Sequence, residues 1–365
     1  MMMRYIYPVL VAVAALLLGV AAKRGYYVVK PFIPRRTRLF LRRILATKQR
    51  QQNLDTWPIL EQAGVTPPDW KGWPDGRRFA FVLTHDVESK AGLAKVKQVA
   101  ELEMSLGFRS AFNFIPEGPY QVPDELRQWL VQRGFEVGVH DHRHDGKLFH
   151  SLERFRASAG RINHFLRAWG ASGFRSGFML RNLNWIHELD VLYDSSTFDT
   201  DPFEPQPDGV HTIFPFWVGG ERNGYVEIPY TLVQDSTLFL ILRQPSADIW
   251  KQKLDWIAGR GGMALLNVHP DYISFDRPEG TWAEYPASHY REFLQWVKQT
   301  REGDYWPALP KDVALHFLAG RALGRGETRL PPWPSVDVLN GAEGHFGPEG
   351  HLIAPNPRKS DSTRD

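Results

Sequence analysis

The stretch FAFVLTHDVE, residues 79–88, runs from an apolar pentapeptide into Thr84, His85, Asp86 and Glu88. A short apolar run preceded by the Trp/Gly/Pro/Asp-rich residues 70–77 predicts a buried strand of a parallel sheet. Asp86 and Glu88 are two residues apart, so on a continuing extended segment their carboxylates point to one side. Two such carboxylates can divide labour, one binding a metal and the other handling a proton. The same two acids also suit the cap and first turn of a helix.

Strand and helix signals alternate along the chain. Leu93–Leu106 has helical periodicity, Ser110–Ile115 reads as a second strand, and Asp124–Arg133 as a helix opening after Pro123. Phe135–Val139 is a third strand. Leu152–Trp169 is a long helix with Phe155, Ile162 and Phe165 along one side. Tyr225–Ile228 and Ala264–Val268 are later strands, with a helix at Ala247–Arg260 between them. This alternation predicts an α/β fold around a parallel sheet, open or closed as a barrel. In such folds, sites form where strands end.

Three further strand ends carry chemistry. In VHDHRHD, residues 139–145, His140 and His144 are four apart. A helical turn opening there would face both rings toward one divalent ion and direct His142 elsewhere. In GFRSGF, residues 173–178, Arg175 stands between glycines and can grip a carboxylate. In LLNVHPDY, residues 265–272, His269 ends an apolar strand, a position suited to a general acid or base. The chain has no cysteine, which excludes disulfides and thiolate ligands. Nitrogen and oxygen donors remain, a set that suits zinc, with cobalt or nickel as alternatives. A carboxylate pair, a histidine pair, an arginine and a terminal histidine together fit metal-assisted hydrolysis.

Charge is unevenly distributed. Residues 1–50 hold eleven Lys/Arg and no acid, leaving 33 basic against 41 acidic side chains in the remainder. A nucleic-acid-binding main domain is thereby excluded. Tyr5–Ala22 is uncharged and long enough to span a bilayer as an uncleaved anchor, with a cleaved signal peptide as the competing reading. The expected organisation is a transmembrane anchor at 1–22 and a basic juxtamembrane helix and linker at 23–75. A main domain follows at 76–300, then an extension and flexible tail at 301–365. The basic flank predicts a single-pass protein of a bacterial inner membrane with its domain on the cytoplasmic face. The arginines among Leu39, Phe40, Leu41, Ile44 and Leu45 predict a helix lying on anionic headgroups. An ordinary helix packed on the domain is the other reading.

Over about Arg77–Gln299 the chain resembles the polysaccharide deacetylases of carbohydrate esterase family 4, the NodB-homology domain. The resemblance implies a distorted (β/α) barrel of about seven parallel strands. The family's Thr-Phe-Asp-Asp-Gly stands here as Thr84-His85-Asp86-Val87-Glu88. By that match Asp86 is the catalytic base. The metal-binding second Asp is replaced by Val87, and Asp-x-Asp spacing in some members gives the ligand role to Glu88; Asp86 as the ligand stays open. His-Ser/Thr-x-x-His matches His140–His144, the implied metal ligands. Arg-x-Pro-Tyr matches Arg175-Ser176-Gly177-Phe178, of which Arg175 carries over as the residue orienting the base. Leu-x-Ile/Val-His matches Leu266–His269, implying His269 as the catalytic acid. Asp-x-x-x-Trp is met by Asp199 and Phe203, implying that Asp199 tunes His269.

The implied function is divalent-metal-dependent removal of N-acetyl, alternatively O-acetyl, groups. The implied substrate is a cell-envelope or exopolysaccharide glycan or its lipid-linked precursor. The stretch 204–237 reads as an inserted substrate or lid segment, with Trp217 and Tyr225 as sugar-stacking candidates. The altered motifs also admit a degenerate glycan-binding protein, and the fold admits hydrolysis of a small non-peptide amide.

Overall fold

The computed structural model describes residues 35–219 and 224–324. Helix α1 (Arg35–Gln52) precedes β1 (Phe79–Val87), α2 (Lys90–Leu106), β2 (Ala111–Phe114), α3 (Asp124–Val131) and β3 (Glu136–His140). Next come α4 (Leu152–Trp169), β4 (Gly173–Arg175), the short α5 (Leu183–Ile186), β5 (Tyr193–Asp194), β6 (Phe216–Gly219) and β7 (Gly224–Glu227). The chain continues through α6 (Asp248–Arg260), β8 (Met263–Asn267), β9 (Ile273–Ser274) and β10 (Tyr285–Pro286). It ends with α7 (Ala287–Arg301), β11 (Tyr305–Ala308) and α8 (Pro310–Gly324).

Local chemistry sets the element ends. The Ser89 side chain accepts from the backbone N–H groups of Ala91 and Gly92, capping α2, and Gly107 closes that helix at φ 88°. Ser151 and Gly170 bracket α4 in the same way. The parallel sheet runs β8–β1–β2–β3–β4–β5–β7, with β6 antiparallel at its edge. Past β7, the N–H groups of Thr231 and Leu232 donate to Leu265 O of β8 at 3.1 and 3.0 Å. The sheet is therefore curled back on itself as a half-barrel.

Strand alternation divides the core. On β1, Phe79, Phe81, Leu83 and Val87 pack into the helix layer, whereas Ala80 and Val82 face the barrel interior with Met263 and Leu265 of β8. The same period puts Thr84 and Asp86 on the interior side. It gives His85 to the helix layer, where its ring contacts Glu103 (2.7 Å) and Val268 O (2.9 Å). On β2, β3, β4 and β8 the interior side likewise receives Asn113, His140, Arg175 and Asn267.

Several expectations are corrected. Against the expected membrane location, no helix among the described residues is long and apolar enough to cross a bilayer. The expected span, 1–22, lies outside the described residues, as does the tail after 324. Helix α1 packs one side on the domain. Leu41 and Ala46 are buried, Arg43 Nε donates to Leu240 O (2.9 Å), and Gln49 Nε2 donates to Pro202 O (2.8 Å). An amphipathic arginine-rich helix has one pattern for either partner, and here Leu41 and Ala46 pack on the domain while Phe40 and Ile44 stay exposed at 59% and 55%. The linker at 70–77 is packed as well, with Trp73 buried and its Nε1 donating to Gly261 O at 2.8 Å. Residues after 300 join the sheet, because β11 pairs in parallel with the start of β1. The stretch 204–237 supplies β6, β7 and core residues, and Tyr225 is buried, which removes it as a sugar platform. Trp217 is half-buried under the Arg321 guanidinium.

Candidate metal centre and active site

Asp86 leaves the end of β1 almost fully buried. Its Oδ1 accepts from Asn113 Nδ2 at 3.0 Å and its Oδ2 from Asn267 Nδ2 at 2.9 Å. Arg175 Nη1 stands 3.6 Å from Oδ2. Burial acts to raise the carboxyl, but Arg175, His140, His269 and the Asn113 hydrogen bond outweigh it and hold Asp86 well below the usual carboxylate range. Asn113 reaches this position across a glycine: a Cβ at Gly138 would collide with its Oδ1.

Arg175 is fully buried and used at every nitrogen. Nε donates to Ser195 O (2.9 Å), Nη2 to Ser195 Oγ (2.7 Å) and Nη1 to Thr84 Oγ1 (3.0 Å). A guanidinium fixed in this way presents a stationary positive charge to Asp86.

Glu88, His140 and His144 converge, each offering one donor atom, with all three atoms within 4.8 Å of one another. The expected helical turn is absent from 140–144. Asp141 and His144 instead take left-handed φ of 57° and 56°, and this tight loop brings the two imidazole centroids to 4.9 Å. His144 stacks on Phe178 at 4.4 Å. His140 Nδ1 faces the Arg175 carbonyl oxygen at 3.1 Å, which places the proton on Nδ1 and leaves Nε2 as an acceptor. That Nε2 is buried with no hydrogen-bond partner. His144 Nε2 lies 3.3 Å from Glu88 Oε1 without hydrogen-bond alignment. Buried lone pairs without partners, on a ring whose other nitrogen is anchored to a carbonyl, are what a metal-binding histidine pair presents. The residues fit a divalent ion. His142 does point away, onto Glu117 at 2.9 Å.

Glu88 is built from behind. Tyr272 Oη donates to its Oε2 at 2.7 Å, and its backbone N–H donates to Asp271 Oδ2 at 2.9 Å. Burial again acts to raise it, and His144, His269 and the Tyr272 hydroxyl prevail, holding the carboxyl well below its usual range.

His269 faces the same space, its Nε2 3.9 Å from Glu88 Oε1. Its Nδ1 contacts Asp235 Oδ1 at 2.7 Å, its backbone N–H donates to Asp235 Oδ2 at 2.9 Å, and Tyr285 Oη donates to that oxygen at 3.1 Å. Burial opposes the charged ring. Asp235, then Glu88 and Asp86, overcome it and push His269 up to about 10.

Asp199, expected beside His269, is elsewhere. It forms a buried ion pair with Lys253 at 2.9 Å, while Asp235 takes the expected position. The sequence contains the signal twice: Asp235 and Phe239 repeat the spacing of Asp199 and Phe203. Asp235 also ends the run Ile228–Gln234 beside β8, so it obeys the same strand-end rule as the other site residues. Asn113, Asn267 and Tyr272 were not read from the sequence either.

No protein-family model matches the chain, and no curated protein does. Solved structures do. One described as a polysaccharide deacetylase of Mycobacterium smegmatis is 18% identical, with 70% of this chain and 96% of that one covered at a TM-score of 0.54. The peptidoglycan deacetylase of Bacillus subtilis is 12% identical over 68% and 96% of the two chains, TM-score 0.40. The catalytic domain of a peptidoglycan N-acetylglucosamine deacetylase of Eubacterium rectale is 12% identical over 65% and 91%, TM-score 0.38. The first of these gives the fold: this chain shares the fold of a polysaccharide deacetylase, as the motif order implied.

Proposed function

We propose that the protein is a metal-dependent hydrolase that removes acetyl groups, chiefly N-acetyl, from a glycan. One observation carries this reading. Glu88, His140 and His144 converge on one point, between a carboxylate held ionised (Asp86) and a histidine held protonated (His269 with Asp235). The shared fold supports it.

Glu88, His140 and His144 would hold the ion, zinc being the best match to their nitrogen and oxygen donors. When bound, such an ion supplies Lewis-acid polarisation of the acetyl carbonyl and makes its water more acidic. Asp86 takes the proton of the attacking water. Its two amide hydrogen bonds fix the carboxylate plane, and Arg175 keeps it ionised. His269 delivers a proton from Nε2 to the departing sugar nitrogen, and Asp235 holds the ring in place through Nδ1 and keeps it charged until then. Acid and base so separated by environment are what cleavage of an unactivated amide needs.

The test is acetate release from an N-acetylglucosamine oligomer by the zinc-loaded protein. The reading expects release by the parent and loss with Asp86→Asn. A zinc-loaded parent that releases no acetate from N- or O-acetylated glycans overturns it.

A further inference from the structure

Asp86 and His269 stand on neighbouring strands whose chains part just below them. The ladder between β1 and β8 ends at Thr84 and Asn267. Val268 N–H then donates to Thr84 O at 2.9 Å. Beyond that bond β1 runs on beside β2 to Val87, whereas β8 gives way to the tight turn Pro270–Tyr272. At this fork a side chain holds the Val268 carbonyl oxygen, with His85 Nδ1 at 2.9 Å. A carbonyl oxygen only accepts, so Nδ1 carries the hydrogen. Both backbone groups of the residue before His269 are therefore tied to the two residues before Asp86.

The far side of the His85 ring is fixed as firmly. Its Nε2 faces Glu103 Oε1 at 2.7 Å, Ser110 Oγ donates to Glu103 Oε2 at 2.6 Å, and Tyr290 Oη donates to Oε1. The ring stacks on Phe112 with centroids 4.5 Å apart. His85 and Glu103 are both fully buried, in the layer that holds Phe81, Phe112 and Tyr290. A carboxylate and an imidazole buried there cost stability that an apolar pair of similar volume would not. Phenylalanine would fill the space of His85, but it could not hold the Val268 carbonyl.

We propose that His85 is a positioning residue: clamped by Glu103, it fixes the offset between the base Asp86 and the acid His269 through the Val268 carbonyl. Asp235 has a different task. It binds Nδ1 and the backbone N–H of His269, so it aims the ring, but it does not tie that chain to β1. His85 does. Base and acid serve one acetyl group from two strands, so the reach of both proton transfers depends on how those strands stand to each other. The proposal deepens the deacetylase reading and rests on it for the roles of Asp86 and His269, while the placement of the His269 ring can be measured without turnover.

The experiment compares His85→Phe, His85→Asn and His85→Gln in the zinc-loaded full-length protein. The asparagine amide nitrogen reaches about as far as Nδ1 and can donate to Val268 O. The glutamine amide reaches about as far as Nε2, toward Glu103. The expected result is a fall in kcat for acetate release of about 10–100-fold in the Phe and Gln variants, with KM and zinc affinity unchanged. His85→Asn recovers most of the loss. The NMR resonances of the His269 ring follow the same order, moved in the Phe and Gln variants and returned toward the parent in Asn. A merely structural role would lower Tm and leave both kcat per folded chain and those resonances in place. Parental kcat or unmoved His269 resonances in His85→Phe overturn the proposal. So do a loss confined to KM or zinc affinity, recovery by Gln equal to that by Asn, and failure of Asn to recover. If His85→Phe does not fold, the Asn and Gln variants decide between these outcomes. A parent that releases no acetate, while the His269 resonances keep the expected order, overturns the deacetylase reading alone. Release with unmoved resonances overturns the positioning role alone.

Discussion

His269 Nδ1 lies 2.7 Å from Asp235 Oδ1, and the second oxygen of that carboxylate accepts the His269 backbone N–H at 2.9 Å. One carboxylate thus fixes both the ring and the chain that carries it. Asp199, which matches the family spacing at least as well, is committed to Lys253.

The two aspartates are therefore predicted to fail differently. Asp235→Asn removes the main group that keeps His269 charged. It lowers kcat by about 10²-fold or more, within the usual worth of a general acid, and moves the alkaline limb of kcat/KM to lower pH. Asp199→Asn leaves that limb in place. It strands the buried Lys253 charge and costs about 3–5 kcal/mol of stability. pH–rate profiles and denaturant unfolding of the two variants check both outcomes.

Asn267→Ala deletes a donor to Asp86 and leaves the fold's apolar core intact. The Asp86 carboxyl then rises, so the acid limb of kcat/KM shifts to higher pH while the alkaline limb stays. An unmoved acid limb would mean that the Asn267 amide does not help hold Asp86 ionised.

Tyr272→Phe removes the hydroxyl that donates to Glu88 Oε2 and keeps the ring. Loss of an outer-shell hydrogen bond to a ligand typically costs about 10–100-fold in metal affinity. Zinc competition against a chromophoric chelator reads this directly, and unchanged affinity would show that Glu88 is held without it.

Glu136 is buried in the barrel, with Tyr193 Oη 2.8 Å from Oε1 and the Lys311 N–H donating to Oε2 at 3.1 Å. Burial pushes its carboxyl up to about 7, against an ordinary value of 4.5. Between those values the folded chain binds more protons than the unfolded one, so stability falls as pH rises through this window and is fully retained below it. Glu136→Gln stays neutral throughout. Its Tm is predicted to match the parent near pH 4 and to exceed it by several degrees at pH 8, at about 2–4 °C per kcal/mol. Parallel melting curves at the two pH values decide it.

The elements with chemistry at their carboxyl ends were legible because strand and functional residue are contiguous in sequence. β1 with Asp86, β3 with His140 and β8 with His269 each carry their own signal. What needed the third dimension was pairing. Which of two Asp-x-x-x-aromatic stretches faces His269 is decided by the segment 230–232 lying against β8, a contact between distant parts of the chain. Asn113 and Asn267 read as polar interruptions of apolar strands until both are seen to meet Asp86. The His140–His144 pair was found by helical spacing, yet two left-handed residues, not a helix, bring the rings together. An apolar stripe among arginines does not state whether lipid or protein covers it, and on α1 Leu41 and Ala46 meet protein whereas Phe40 and Ile44 do not. β11 was missed because four residues containing a proline, Tyr305–Ala308, give almost no strand signal of their own.

The most direct test of the central claim is metal stoichiometry by mass spectrometry of the zinc-equilibrated protein, beside the His140→Ala/His144→Ala variant. The arrangement of Glu88, His140 and His144 predicts one ion per chain in the parent and none held by the folded variant. A parent that binds no zinc, cobalt or nickel, or a variant that keeps the ion, would contradict the metal centre and the hydrolytic mechanism built on it.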